Sequence, residues 1–369
     1  MHKVSIKPRW TISDADGESL TPRLLELLAQ VQQYGSLSGS CKHSGASYRH
    51  AWNLVRQGEQ RIGAPLLLME RGKGSTLTPL AEKLVWAGHL ISARLTPLLE
   101  SLASELEVEI RRVLVSDRAV LRVHSTHGFA VERMLETLSA SDVAVERKYV
   151  GSQEAVASLH DGACELAGFH VPEGEFESVA IDHYVRWFDL AENRIIHIAT
   201  RRQGLMIAPG NPLKIYDLRD LTRSGVRFIN RQLGSGTRFL LDCLLERAGI
   251  EASRIAGYEH GEYTHAAVAA YVASGMADAG LGIETPARRF KLDFLPIVRE
   301  RYFMICDEAS LSTSQLQATL AILRTPAYRD YVNQLPGYTA DRCGEVDTLQ
   351  AAFPNYPFSK KTATRRAAA

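Results

Sequence analysis

The apolar positions change rhythm near residue 114. Before that point they recur at three- and four-residue intervals, the spacing of helices with one buried face. Leu24, Leu25, Leu27, Leu28 and Val31 follow Thr21-Pro22 and stop at Tyr34-Gly35, a helix with an N-cap hydroxyl, a first-turn proline and a glycine stop. A short polar segment (Ser36 to His43) and a Ser44-Gly45 turn lead into a second helix, Ser47 to Ile62, closed by Gly63. On that helix Tyr48, Ala51, Trp52, Val55 and Ile62 gather on one face, and Arg49, His50, Asn53, Gln57 and Gln60 on the other. Glu59 is the only carboxylate in it. Pro65, the apolar run Leu66 to Met69, the basic tip Glu70-Arg71-Gly72-Lys73-Gly74 and then Ser75 to Thr78 predict a β-hairpin.

Helices followed by a hairpin in this order predict a winged helix-turn-helix, with Ser47 to Ile62 as recognition helix and Leu66 to Thr78 as wing. Residues 36 to 83 carry seven basic and three acidic side chains plus two histidines, a footprint suited to phosphates. The residues expected to meet DNA are Ser47, Arg49, His50, Asn53 and Arg56 on the helix and Arg71 and Lys73 on the wing. A solvated polar face on a small helical subdomain has the same periodicity, so the pattern alone leaves both readings open.

Thr78-Pro79 opens a long helix running towards residue 112. Leu80, Leu84, Ala87, Ile91, Leu95, Leu98, Leu102 and Leu106 form its apolar seam, and Pro97 predicts a kink or interruption. The seam suits a dimer, because two recognition helices read a two-fold operator, or burial on the domain that follows.

After Arg112 strand and helix alternate. Strands are predicted at Ala119–His124, Val143–Val150, Glu165–His170, Val226–Asn230 and Ala277–Ile283, and helices at Gly128–Leu138, Ser152–His160, Thr237–Ala248 and Tyr263–Ser274. Such βα units predict parallel sheets covered by helices, with the irregular residues 171 to 211 as a crossover between two sheets. The strand-to-helix junctions are Ser125-Thr126-His127-Gly128, Gly151-Ser152-Gln153, the run Asn230 to Arg238, and Glu262 to His265. Hydroxyls and glycines at helix starts present free N–H groups, which bind anions, although the same residues are ordinary caps.

Composition narrows the class. The 369 residues are 45% hydrophobic and 23% charged, with a net charge of +1. No apolar run reaches the ~18 residues of a membrane span, and no apolar stretch follows the basic start, so a cytoplasmic protein is expected. Residues 1 to 114 balance at +3, residues 115 to 359 at −6, and the last ten residues add +4. An anion bound by the second region therefore relies on short, directed hydrogen bonds. The five cysteines are scattered without a CxxC pair, and the twelve histidines show no HxxxH or HExxH spacing, so neither a disulfide framework nor a metal site is expected. Without a GxSxG elbow, and with Ser125 and His127 too close in sequence to act as nucleophile and base, no catalytic residues, enzyme activity or cofactor is expected.

The stretch from LLAQVQQYGSLSGS through SYRHAW to GKGSTLTPLAEKL resembles the amino-terminal domain of LysR and molybdate-responsive ModE regulators, and SYRHAW and the wing are most similar to the ModE branch. Residues from about 115 to 310 resemble the type 2 periplasmic binding protein fold, in the variety found behind a helix-turn-helix or fused to molybdopterin-biosynthesis enzymes. The matching segments are FINRQLGSGTRFLLDCLLERAGI, THAAVAAYVASGMADAGLGIE and LDFLPIVRERY, and GSGT is similar to the oxyanion loops of tungstate- and phosphate-binding proteins. These resemblances imply an α/β multidomain chain. Its expected parts are an extension (1–20), a winged helix-turn-helix (21–78), a linker and dimerisation helix (79–114), a two-lobed α/β effector domain (115–345) and a basic, disordered tail (346–369). They imply a one-component transcription regulator, dimeric or tetrameric, that binds a double-stranded operator and a small anion such as molybdate, tungstate or a molybdenum-cofactor-related effector. The implied ligand contacts are Ser125, Thr126, Ser152, Arg231, Ser235, Gly236, Thr237, Thr264 and His265. A LysR-like sensor of a small organic acid, or a component of molybdenum cofactor biosynthesis, is the alternative.

Overall fold

The computed structural model describes residues 3–13, 17–70, 74–114, 119–141 and 143–358. They divide into two compact units, one of Lys7–Leu95 and one of Met1–Ile6 with Thr96–Ala369.

The smaller unit holds α1 (Pro22–Tyr34), α2 (Leu37–Ser44), α3 (Tyr48–Ile62), the antiparallel pair β1 (Leu67–Glu70) and β2 (Gly74–Leu77), and the start of α4 (Pro79–Leu114). The segment read as merely polar is thus helix α2, capped by the Ser36 hydroxyl on Gly39 N (3.0 Å) and ended by Gly45 at φ 68°. Leu24, Leu27, Leu28, Val31, Leu37, Val55, Leu66 and Leu84 make one core. Close approach of α1 and α3 requires Gly58, where a methyl group would lie 2.2 Å from Leu24 Cδ2. Glu59 is turned away from the polar face, its carboxylate accepting from Leu66 N (2.8 Å) and Leu67 N (3.3 Å) where the hairpin begins. Tyr48, expected in the core, is 46% exposed and stacks on Trp52. The expected hydroxyl cap at Thr21 makes no cap bond.

Helix α4 continues through Pro97 without the expected interruption. Its seam is divided by burial. Leu84 is only 7% exposed in the core of the smaller unit, whereas Leu98, Leu102 and Leu106 are exposed. In the larger unit the opposite face of α4 is buried through Ala103, Ser104 and Val108. Ser101 and Ser104 accept from Tyr149 N and Arg147 N and so close the free edge of strand β4.

The larger unit continues with β3 (Leu121–Ser125), α5 (Phe129–Ala140), β4 (Val145–Tyr149), α6 (Ser152–His160), β5 (Leu166–Pro172), α7 (Glu177–Asp182), β6 (Asn193–Ile207), β7 (Phe228–Arg231), α8 (Gly236–Ala248), β8 (Gly261–Glu262), α9 (His265–Ala273), β9 (Ala279–Ile283) and α10 (Glu284–Arg289). It closes with β10 (Asp293–Asp307), α11 (Ser314–Arg324), α12 (Pro326–Gln334), β11 (Tyr338–Thr339), β12 (Val346–Thr348) and α13 (Leu349–Ala352). One sheet runs β4-β3-β5-β10-β6-β9-β7-β8, with β11 and β12 also paired to β6. The outer trios β4-β3-β5 and β9-β7-β8 are parallel, and β6 and β10 cross between them as antiparallel strands.

Two expectations are corrected here. The stretch 171 to 211 is not an irregular crossover, since it contains the 15-residue strand β6, and the sheet is continuous and mixed rather than two parallel sheets. Arg201, Arg202 and Gln203 interrupt the apolar run of β6 and so hide a strand, in which Arg201 and Gln203 are buried and paired with Glu300 while Arg202 is exposed and meets Glu284. Opposite Pro296, where β10 bulges, β6 carries Gly204; a methyl group there would lie 2.0 Å from the Leu295 carbonyl oxygen. Phe169, Phe303 and Phe353 pack together on one half, and Phe228, Leu241, Leu244 and Leu281 on the other. Full burial of each such side chain contributes roughly 1.5–3 kcal/mol.

Candidate functional site

β6 and β10 set Arg201 opposite Glu300, and both side chains are buried. Arg201 Nε donates to Glu300 Oε1 (2.5 Å), and Gln203 Nε2 donates to Glu300 Oε2 (2.5 Å), so both carboxylate oxygens are engaged. Arg201 Nη2 lies 3.2 Å from His170 Nε2. A guanidinium only donates, so Nε2 is an acceptor and the ring proton sits on Nδ1. That Nδ1–H is buried and has no partner among the described residues. Thr126 Oγ1 shares the same Nε2 at 2.7 Å.

The parallel trios bring their carboxyl ends to this point, where short turns lead into helices. Ser125 ends β3 and Ser152 begins α6; both are buried and both hydroxyls lack a hydrogen-bond partner among the described residues. Tyr184 lies beside Ser152, but its own hydroxyl donates to the His170 carbonyl (3.1 Å). Gly128, at the start of α5, would place a methyl 3.8 Å from Arg201 Nη1. Gly151, at the start of α6, would place one 3.8 Å from the Gly234 carbonyl, so this helix start abuts the loop into α8.

From the other half comes Arg231, at the end of β7 and 9% exposed. Its Nε and Nη2 are held by the carbonyls of Glu262 (3.1 Å) and Tyr263 (2.9 Å), and Nε also reaches Gln232 Oε1. Ser235 and Thr264 act as caps, accepting from Arg238 N (3.1 Å) and Ala267 N (3.0 Å). Gly236 opens α8, Thr237 is buried in its first turn, and His265 opens α9 with Nδ1 unpartnered among the described residues. Arg238, which also flanks the glycine-rich loop, stacks on Tyr258 instead.

Charge in this site is under-compensated. Burial, then Arg201, pulls the Arg231 guanidinium down to about 9, against the attraction of Glu300 and Glu262. Burial also works against Arg201, but Glu300 and Tyr338 outweigh it and hold that guanidinium above its usual value. His170 and His265 are held well below the ordinary imidazole range by burial and by the two arginines, and are therefore neutral. Neutral donors without acceptors, beside a buried guanidinium whose charge is disfavoured, are what a small anion relieves.

Sequence reasoning reached the turns but missed Arg201, His170, Glu300, Gln203 and Tyr302, whose ring lies 4.0 Å from that of His170. The signal was present as the polar interruption TRRQ in an apolar stretch and as RER in the segment LDFLPIVRERY. On α3, Ser47, Arg49, His50, Asn53 and Arg56 are all exposed, and Arg56 lies 5.0 Å from the Trp52 ring. Arg71 and Lys73 lie outside the described residues, as do residues 359–369, whereas residues 346–358, expected within a disordered tail, carry β12 and α13 and bury Phe353. Among the described residues no helix is long and apolar enough to cross a membrane.

The chain is similar to known proteins over parts of its length. An uncharacterized protein, YvgK of Bacillus subtilis, is 32% identical over 200 residues, which are 54% of this chain and 64% of that protein. The molybdenum-pterin-binding protein MopB of Rhodobacter capsulatus is 28% identical over 142 residues, 37% of this chain and 51% of MopB. The chain thus matches just under two thirds of the first relative and about half of the second. A solved structure of Corynebacterium glutamicum OxyR aligns over 81% of this chain and 90% of its own, at 14% identity and a TM-score of 0.40. The PBP superfamily domain matches residues 135–324, just over half of the chain. The chain belongs to the PBP superfamily, whose fold is a binding fold.

Proposed function

We propose that the chain is a DNA-binding transcription regulator whose PBP domain senses a small anion. The observation that carries this reading is the set of unpartnered buried donors, Ser125 Oγ, Ser152 Oγ and His170 Nδ1, beside the under-compensated guanidinium of Arg231. In this reading Ser125, Thr126, Ser152, His170, Arg231, His265 and the turn Ser235-Gly236-Thr237 contact the anion, Thr264 caps the helix beside it, and Arg201 is held by Glu300 to position His170. Molybdate or tungstate is the favoured effector, supported by the name of the MopB relative. A small organic acid is the second reading, favoured by Arg231, whose planar fork matches a carboxylate.

The smaller unit is proposed to be a winged helix-turn-helix. Its exposed α3 face would enter the major groove, with Arg49, His50 and Asn53 reaching base edges and Ser47, Arg56 and the wing residues Arg71 and Lys73 on the backbone. The exposed leucines of α4 would join two copies. An anion alters DNA binding only through its different affinity for the two states of the protein. The test is selection of sequences from random duplexes by the full chain, then anisotropy titration of the selected duplex with and without molybdate, tungstate and small carboxylates. Sequence selection and an affinity that moves with at least one anion are expected. A chain that selects no sequence, or whose DNA affinity ignores every anion it binds, contradicts the proposal.

A further inference from the structure

Outside the arginine site, a second group of described side chains is left with buried, unpartnered atoms. Glu100 lies on α4, His127 in the turn after β3, and Glu132 in the first turns of α5. One ligand atom from each lies within 4.8 Å of the others. Glu100 Oε2 and His127 Nε2 are 3.9 Å apart, both shielded from solvent and both without a hydrogen-bond partner among the described residues. The Tyr149 ring packs edge-on against His127 at 5.0 Å, and its buried hydroxyl lies beside Glu100.

A proton does not bridge two acceptors at 3.9 Å, since hydrogen bonds to nitrogen and oxygen span about 2.7–3.2 Å. A metal ion does, with Zn–N and Zn–O bonds of about 2.0–2.2 Å and a small inward movement of the ligands. We propose that Glu100, His127 and Glu132 bind a divalent transition-metal ion, zinc first among candidates. The mixed nitrogen and oxygen set favours zinc or cobalt over calcium or magnesium, which take oxygen ligands.

The electrostatics agree. Burial raises both carboxyl groups and lowers the imidazole, and a bound cation would work against the burial of the two carboxyl groups. Arg147 acts on all three groups, and Lys3 and Arg289 act on Glu132. None of these cations donates a hydrogen bond to Glu100 Oε2 or His127 Nε2. A bound ion would tie α4 to the turn that also carries Thr126, and so connect the linker helix to the arginine site.

The test is titration of the full chain with cobalt(II), read by its visible absorption, and with zinc in competition with a chromophoric chelator. One equivalent is expected, with an absorption of four or five ligands that include nitrogen. His127→Ala should weaken binding at least a hundredfold and Glu132→Gln about tenfold, with circular dichroism unchanged, whereas exposed His160→Ala should bind as the parent does. Two outcomes overturn the proposal: a parent chain that takes up no stoichiometric metal, or a folded Glu132→Gln and His127→Ala pair that both bind like the parent. Because Glu132 can be changed without removing the ring, misfolding of His127→Ala alone does not protect the idea.

Discussion

Arg201 and Glu300 are directly opposed on β6 and β10, Nε to Oε1 at 2.5 Å, with exposures of 3% and 2%. They sit where the two long strands cross between the parallel trios, so the pair fixes the register of the sheet's centre and the orientation of His170 together. An ion pair this deep adds little net stability compared with apolar packing, but breaking it leaves a buried charge alone. Glu300→Ala should therefore cost about 3–5 kcal/mol in urea unfolding, and Arg201→Met combined with Glu300→Met should recover most of it. A Glu300→Ala chain as stable as the parent contradicts this account of the pair.

The histidines give the site a pH signature. His170 faces Arg201, Arg231, Thr126 and Tyr302, and His265 feels Arg231, Arg201, His170 and His127. Both are depressed in the folded state, so below the ordinary imidazole value of 6.5 the unfolded chain binds protons that the native one refuses. Stability is then full above that value and declines as pH falls below it. A bound anion offsets the arginine charges, raises both imidazoles and makes binding take up protons. Melting temperature should fall from pH 7 to pH 5, less steeply with anion present and in His170→Asn. A flat profile in all three samples refutes the assignment.

Sequence reading by α3 is open to direct test, because its polar face is solvent-exposed and its replacement leaves the core intact. The triple Arg49, His50, Asn53 alanine variant should keep its melting temperature within a few degrees and lose its preference for the selected duplex. Each bidentate base contact contributes about 1–3 kcal/mol of discrimination. Retained preference at unchanged salt would place recognition elsewhere.

Association is expected through the exposed part of the α4 seam rather than through Leu84, which is already buried in its own unit. Leu98 is 58% exposed, and Leu98→Glu should halve the mass seen by light scattering while the monomer's melting is preserved. An unchanged mass removes the seam from the interface.

Much of the fold was legible where local chemistry decides structure. Gly35, Gly45 and Gly63 all adopt left-handed angles at helix ends, and Ser152–His160 is α6 with the bounds that periodicity gave. What was not legible depends on pairing between distant residues. β6 and β10 carry Arg201, Gln203 and Glu300 in their middles, a pattern that looks like exposed loop until these polar side chains are seen to pair across some hundred residues. The arginine site shows the same limit. Hydroxyls at helix starts were visible as candidates, but a cap such as Ser235 and an orphan such as Ser152 differ only in tertiary context.

The central claim is that an anion completes Arg231 and the orphan donors. Calorimetry of the full chain with molybdate, tungstate, sulfate, phosphate and formate, repeated on Ser152→Ala and Arg231→Met, tests it most directly. Ser152→Ala should leave free-protein stability unchanged or slightly higher, because its hydroxyl has no partner to lose, yet weaken the best anion roughly tenfold, one charge-assisted hydrogen bond. Arg231→Met should abolish binding. If no anion binds the parent chain, or if one binds equally well to a folded Arg231→Met chain, the anion-receptor account is contradicted.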